Sequence, residues 1–242
     1  MGRLRTWLEE SFAGTDLSSG VIASVTALVL LVSRYRGGVG GYHRLFGSAF
    51  SGHPFEPLYD HLYWFGASFV LYGLIPLGIV LLLPGERLRD YGIGLGAWRL
   101  GLKVTLLFAA VMVPLVFVVS RIEGLGFTRT YPLDPDAVRS WTFFWVYEPW
   151  YALYFVAWEF LFRGFLLFGL ARRIGTHAIW VQLIPFALMH AGKPELEAYG
   201  SIVAGVALGI LALRTRSFWW GAFLHAGIAA CMDLVSAAAR IP

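Results

Sequence analysis

Charge is what this 242-residue chain has least of: Asp, Glu, Lys and Arg together make up 14% of it. A water-soluble domain carries about 25%, so the composition excludes a free-standing globular protein. Cysteine occurs once, as Cys231 inside the last apolar run. No intrachain disulfide is possible, and the thiol reads as a small packing residue. Basic faces and nucleic-acid motifs are also missing. The net charge of +4 is spread over short loops between apolar runs, which fits membrane topology and anionic lipid rather than nucleic acid. Internal repeats, low-complexity tracts and a separable polar domain are absent as well. A cleavable leader is not expected, because Glu9, Glu10 and Asp16 precede the first apolar run and no A-x-A-like site follows it. The N-terminus instead reads as a retained, amphipathic interfacial segment.

What is present is hydrocarbon. Hydrophobic residues make up 58% of the chain and the mean hydropathy is +0.66. A membrane-spanning helix needs about 20 mainly apolar residues. Runs near 18–33, 62–83, 101–120, 150–170, 176–191, 199–213 and 217–238 approach or meet that length. The fold class is therefore all-α, a polytopic transmembrane helical bundle of about seven spans. It forms one membrane domain over 1–242, with N-terminal spans and loops in 1–149 and a core in 150–238. Pro76, Pro114 and Pro185 fall inside spans, where neighbouring helices can satisfy the freed carbonyls. The aromatic cluster WTFFWVYEPW before the core resembles an interfacial belt. Gly205 and Gly209 form a G-x-x-x-G that lets helix backbones approach within the bundle.

Against that background the polar residues inside the apolar runs stand out, since each is expensive in hydrocarbon and needs a partner or a purpose. Glu159 and Arg163 lie four residues apart in YALYFVAWEFLFRGFLLF, so one helix stacks them on the same face. His190 closes the run LIPFALMH, and His225 lies within FWWGAFLHAGIAACMDLV. A structural ion pair with two packing histidines is the plain reading. The chemical reading is hydrolysis, with Glu159 as general base, the imidazoles moving protons or steadying an oxyanion, and Arg163 positioning the carboxylate. Two histidines and a glutamate also make a conceivable zinc set. No H-E-x-x-H is present, however, so metal is the lesser alternative and no cofactor is expected. The histidines at 43, 53 and 61, with Asp60, read as surface residues rather than ligands. Tyr147, Tyr151, Tyr154 and Trp158 recur at helical spacing as one stripe, read as belt and packing, with a substrate path toward Glu159 as the alternative.

Glu159-Phe-Leu-Phe-Arg163-Gly164, Phe186-Ala-Leu-Met-His190 and His225, in that order, resemble three motifs of the CPBP family. These are E-E-x-x-x-R-G, F-x-x-x-H and H-x-x-x-N/D, and the family comprises CAAX proteases and bacteriocin-processing (Abi) intramembrane endopeptidases. The resemblance covers roughly residues 150–238. It implies an all-helical membrane bundle, glutamate-dependent peptide hydrolysis, and Glu159, Arg163, His190 and His225 as the catalytic set. Two positions depart from the pattern. Trp158 stands where the first glutamate is expected, and Ala229 stands four residues after His225. Asp233 lies one further turn along, about 12 Å up the helix from His225. Catalysis is then either re-partnered or lost.

The stretch His190-Ala-Gly192-Lys193-Pro194-x-x-Glu197, then Arg214-Thr-Arg216-Ser217-x-Trp219 and Met232-Asp233, resembles a W-E-F branch of the family similar to myxosortases. Membership there implies trimming of C-terminal sorting tails. Lys193, Glu197 and Asp233 then become supporting or substitute groups. The plain alternatives are a solvated Lys193–Glu197 pair, and Asp233 paired with a loop arginine. On this resemblance the chain resides in the bacterial inner membrane. Its partners are membrane lipid and a membrane-protein or lipoprotein-like substrate, with no nucleic acid; the sequence carries no sign of its oligomeric state. A non-catalytic scaffold or immunity-type binding protein is the rival reading.

Overall fold

The computed structural model describes residues 3, 6, 7, 10, 14 and 16–242; most of the expected N-terminal interfacial segment lies outside them. No strand occurs among the described residues, and helices follow one another from Leu17 to Ala238. We number the principal ones α1 (Leu17–Val32), α2 (Val39–Phe46), α3 (Tyr59–Ser68), α4 (Ile75–Leu82), α5 (Trp98–Val119), α6 (Trp141–Glu159), α7 (Gly169–Ile174), α8 (Ala178–Leu188), α9 (Glu195–Thr215) and α10 (Trp219–Ala238). A π-helical turn, Phe69–Leu74, joins α3 to α4, and a longer one, Phe160–Phe168, joins α6 to α7. Wide turns of this kind sit preferentially at functional sites.

Among the described residues six helical stretches are long and apolar enough to cross a membrane, and the chain is an integral membrane protein. Seven were expected. The fourth and fifth expected spans fall within one stretch, Trp141–Leu188. The stretch is not straight: Gly175, at φ 58°, ends α7, and a left-handed φ of this kind suits glycine. Beyond it α8 runs back along the π segment, with the rings of Phe162 and Phe186 5.4 Å apart.

Burial ranks these helices. The most apolar window of Trp141–Leu188 is 89% buried inside the protein, against 6% for α5. The first is the bundle's central post, and the second is a peripheral helix whose leucines and phenylalanines are exposed, as on a lipid-facing surface. With acyl chains as solvent, exposed hydrocarbon is no penalty and helices associate through close packing. Gly205 and Gly209 act this way. Their Cα faces meet Leu183, Phe186 and Ile179 of α8, and Gln182 donates from Nε2 to the carbonyls of Gly205 (3.0 Å) and Ile179 (3.1 Å). The G-x-x-x-G is thus internal packing.

One end of the bundle is tied by loops. Asp16 caps α1, accepting from Ser19 N at 2.9 Å, and pairs with Arg173 at 2.7 Å; Glu86 pairs with Arg172. The 92–97 loop is stapled to the start of α10 by two indoles: Trp219 Nε1 donates to Ile93 O (2.7 Å) and Trp220 Nε1 to Leu95 O (2.9 Å). At the far end the expected aromatic belt divides. Trp141, Trp145 and Trp150 point outward, whereas Phe144 and Tyr147 are buried. The Tyr147–Tyr151–Tyr154–Trp158 stripe is interior packing, its first three rings 5.1–5.6 Å from Phe65 of α3.

Candidate active site

The last residue of α6 is Glu159, and its side chain is 0% exposed. It meets two helical segments. Arg163, four residues on in the π segment, donates from Nη1 to Oε1 at 2.9 Å, and His225 of α10 places Nδ1 2.9 Å from the same oxygen. A carboxylate only accepts, so His225 Nδ1 carries the proton. The other oxygen, Oε2, has no hydrogen-bond partner among the described residues. It faces Gly221, where a Cβ would come within 2.7 Å of it. One oxygen is anchored twice and the other is left open.

Arg163 is also 0% exposed. Its Cζ stands 4.0 Å from the centroid of the Phe186 ring, so a π face covers part of the guanidinium charge. Its Nε and Nη2 have no partner among the described residues. A buried pair with open valences on both members exceeds what helix packing needs. Apolar residues of the same volume would be neutral or stabilising by about 1–4 kcal/mol.

His190 follows the C-terminus of α8 in a turn. Its Nδ1 lies 2.8 Å from the carbonyl of Phe186, which can only accept, so the proton sits on Nδ1. In the neutral ring Nε2 is then an acceptor. The His190 and His225 rings are nearly parallel, with centroids 6.4 Å apart. Trp158 lies edge-on to His190 at 5.8 Å and packs on Phe162 at 5.0 Å. An indole therefore fills the place of the family's first glutamate, and its Nε1 is buried with no partner among the described residues. The His225 side chain is 21% exposed, whereas Glu159 is fully buried.

Four sequence candidates, Glu159, Arg163, His190 and His225, thus converge. Three others, Lys193, Glu197 and Asp233, do not join them. Lys193 and Glu197 pair at 3.6 Å around Tyr131, whose hydroxyl donates to Glu197 and whose ring lies 4.8 Å from Lys193 Nζ. Burial first, then the Glu197 carboxylate, pushes the Tyr131 phenol far up, so it stays a proton donor. Asp233 is not paired with a loop arginine. It is 0% exposed, both its oxygens lack hydrogen-bond partners among the described residues, and Glu148 and Tyr147 lie beside it. Glu148 was missed in the sequence. It precedes Glu159 by 11 residues on the same helix, about three turns and nearly the same face. The test that singles out Glu159, a carboxylate within an apolar run, would have found it.

Residues 140–231 match the family model of type II CAAX prenyl endopeptidase Rce1-like. The match begins at Ser140, which caps α6 through Phe143 N, and it contains all four converging residues. Over these residues the chain is similar to the CAAX prenyl endopeptidases of the CPBP family, as the motif order implies, and the match supports an intramembrane protease. No curated protein and no solved structure matches the chain.

Proposed function

We propose that this membrane protein, similar to type II CAAX prenyl endopeptidases over residues 140–231, is a glutamate-dependent intramembrane endopeptidase. The observation that carries the reading is the asymmetry of Glu159. Oε1 is held by Arg163 and His225, while Oε2 is bare beside a glycine. A general base needs one lone pair free for its proton and a fixed orientation. Water at Oε2 gives a proton to Glu159 as its oxygen adds to the scissile carbonyl carbon. With their Nδ1 protons held by Glu159 and by the Phe186 carbonyl, His225 and His190 offer Nε2 as an acceptor that relays the proton, and each becomes a donor to the oxyanion only while it carries that proton. That proton passes to the amide nitrogen, the C–N bond breaks, and a carboxyl terminus and an amine leave. Arg163 is a positioning residue, and no cofactor enters this scheme.

The substrate in this reading is a membrane-embedded or membrane-proximal segment of another protein. The Lys193–Glu197–Tyr131 cluster and Asp233 support the W-E-F branch, and with it C-terminal sorting tails of bacterial surface proteins processed at the inner membrane. An open groove of about 500 Å³, lined by Ala187, Leu188, Lys193, Tyr199 and Ile202 among others, lies beside the His190 turn. It suits an apolar segment with a polar end.

One observation favours a second reading, a non-catalytic scaffold or immunity-type binder: Trp158 occupies the first glutamate's place and is 3% exposed. Mass spectrometry of membrane and surface proteins in the native host separates the two. Wild type, a deletion strain and Glu159→Gln are compared at equal protein level. Accumulation of the same tail-bearing precursors in the deletion and the Gln variant is expected. Normal processing by the Gln variant overturns Glu159 as the base. Full processing in the deletion, with redundant proteases removed, leaves the scaffold.

A further inference from the structure

His61 is not a surface histidine. It lies in the first turn of α3 with its side chain 14% exposed, and its Nδ1 stands between two carboxylates. Asp60 Oδ1 is 2.7 Å away and Asp134 Oδ2 is 3.3 Å away. Asp134 comes from the 131–140 loop that leads into α6, and its side chain is 2% exposed. Its Oδ1 accepts from Asp136 N at 2.9 Å. Its Oδ2 accepts no hydrogen bond among the described residues. The reason is simple: one ring nitrogen carries one proton, and Asp60 has taken it. On the solvent side Asp60 Oδ2 is 3.3 Å from Nε2 of His43 in α2. Among the described residues no lysine or arginine pairs with Asp60 or Asp134. Two carboxylates therefore converge with only imidazoles beside them.

We propose that Asp60, His61 and Asp134, with His43 on the open side, form a divalent transition-metal site of the zinc class. Three of the donors already lie within 4.8 Å of one another. Zinc–oxygen and zinc–nitrogen bonds of about 2.0–2.1 Å place neighbouring ligands of a tetrahedron about 3.3 Å apart. The His61 Nδ1–Asp134 Oδ2 separation is 3.3 Å. The 2.7 Å between His61 and Asp60 Oδ1 is a proton-filled contact that widens when the ion displaces that proton. His43 stands outside these three donors, 3.3 Å from the other oxygen of Asp60, and orients that carboxylate. Mixed imidazole and carboxylate donors select zinc, manganese or iron over magnesium or calcium, which take oxygen alone. The ion's two charges cancel the two carboxylates and give the stranded Asp134 Oδ2 its partner. Bound there, it fastens α2 and α3 to the loop that sets the start of α6. The site is separate from Glu159, and the inference does not rest on the proposed protease activity.

The test is equilibrium dialysis of the chelator-stripped, detergent-solubilised protein, purified without a polyhistidine tag. Zn²⁺ is the probe, with Mg²⁺ as control and metal counted by mass spectrometry. One Zn²⁺ per chain is expected, with no Mg²⁺ retained, and a melting temperature that rises with Zn²⁺. Asp134→Asn should weaken Zn²⁺ at least 10-fold and abolish the thermal shift. Should that buried variant fail to fold, His43→Asn, at a side chain 60% exposed, reads the same site; its loss should weaken Zn²⁺ about 10-fold. No stoichiometric Zn²⁺ in the wild type, or wild-type affinity in the His43 and Asp134 variants, overturns the proposal and leaves a proton-bridged Asp–His–Asp clamp.

Discussion

Replacing Gly221 by alanine adds one methyl group to the wall that faces the open oxygen of Glu159. The added carbon would stand 2.7 Å from Oε2 and 3.4 Å from Cδ, about 0.8 Å inside a normal contact of ~3.5 Å. Glu159 has little room to retreat, because its other oxygen is fixed by Arg163 and His225 at 2.9 Å each. Relief must come from moving α10 or from breaking an anchor. Overpacking of this size destabilises by about 1–3 kcal/mol. Alanine also returns up to about 1 kcal/mol of helix propensity, so the net loss is about 0–2 kcal/mol and the protein should fold. The chemistry should suffer far more, since the methyl crowds Oε2, the oxygen proposed to take the proton from water. Loss of general-base action lowers rates about 10²–10⁴-fold. Cleavage of a membrane-anchored reporter in liposomes, read beside thermal melting, measures both. Gly227→Ala is the control, on the same helix with nothing within 4 Å of the new carbon; it should keep wild-type cleavage. A Gly221→Ala protein that cleaves and melts like wild type refutes the assignment of Oε2 as the working oxygen.

Arg163→Leu leaves a buried carboxylate without its guanidinium and should destabilise by about 3–5 kcal/mol. Adding Glu159→Leu should recover most of that loss, and additive effects in the melting cycle would contradict a paired origin. Trp158→Phe keeps an aromatic ring against Phe162 and His190 while removing an N–H with no partner among the described residues. Cleavage should stay within about 3-fold of wild type, and a 100-fold fall would instead give that N–H a chemical task. Glu197→Gln retains a side chain of the same shape beside Tyr131. Reporter cleavage should persist, and its abolition would move the general base from Glu159 to Glu197.

The helical bundle was legible because hydrocarbon length is written residue by residue, and α5, α9 and α10 fall within four residues of the expected limits at their start. The expected runs 150–170 and 176–191 are parted at Gly175, where the chain reverses, but helix continues through that break and the two count as one stretch. Glu159, Arg163, His190 and His225 could be picked out because a polar group inside a long apolar run is a visible anomaly. Glu148 satisfied the same test but sits among the aromatic residues of α6, and it was read as part of a belt. Asp134 could not be found that way. It lies in a polar loop, and only the folding of that loop against α3 buries it beside His61. Trp158 was visible as a departure, but the sequence could not tell whether its ring closed the site or lined it.

The two anchors of Glu159 differ in when they become available. Arg163 arrives within the same helical turn, whereas His225 is 66 residues later in the chain. As the segment enters the bilayer, carboxylate and guanidinium can meet as soon as that turn forms, without a contribution from any other helix. Neither then has to cross hydrocarbon as a lone ion, the most expensive intermediate open to this sequence. The imidazole comes only when α10 docks. The order of assembly therefore separates safe insertion from competence: a half-built chain holds a neutralised pair, and the reactive arrangement is completed by the final helix.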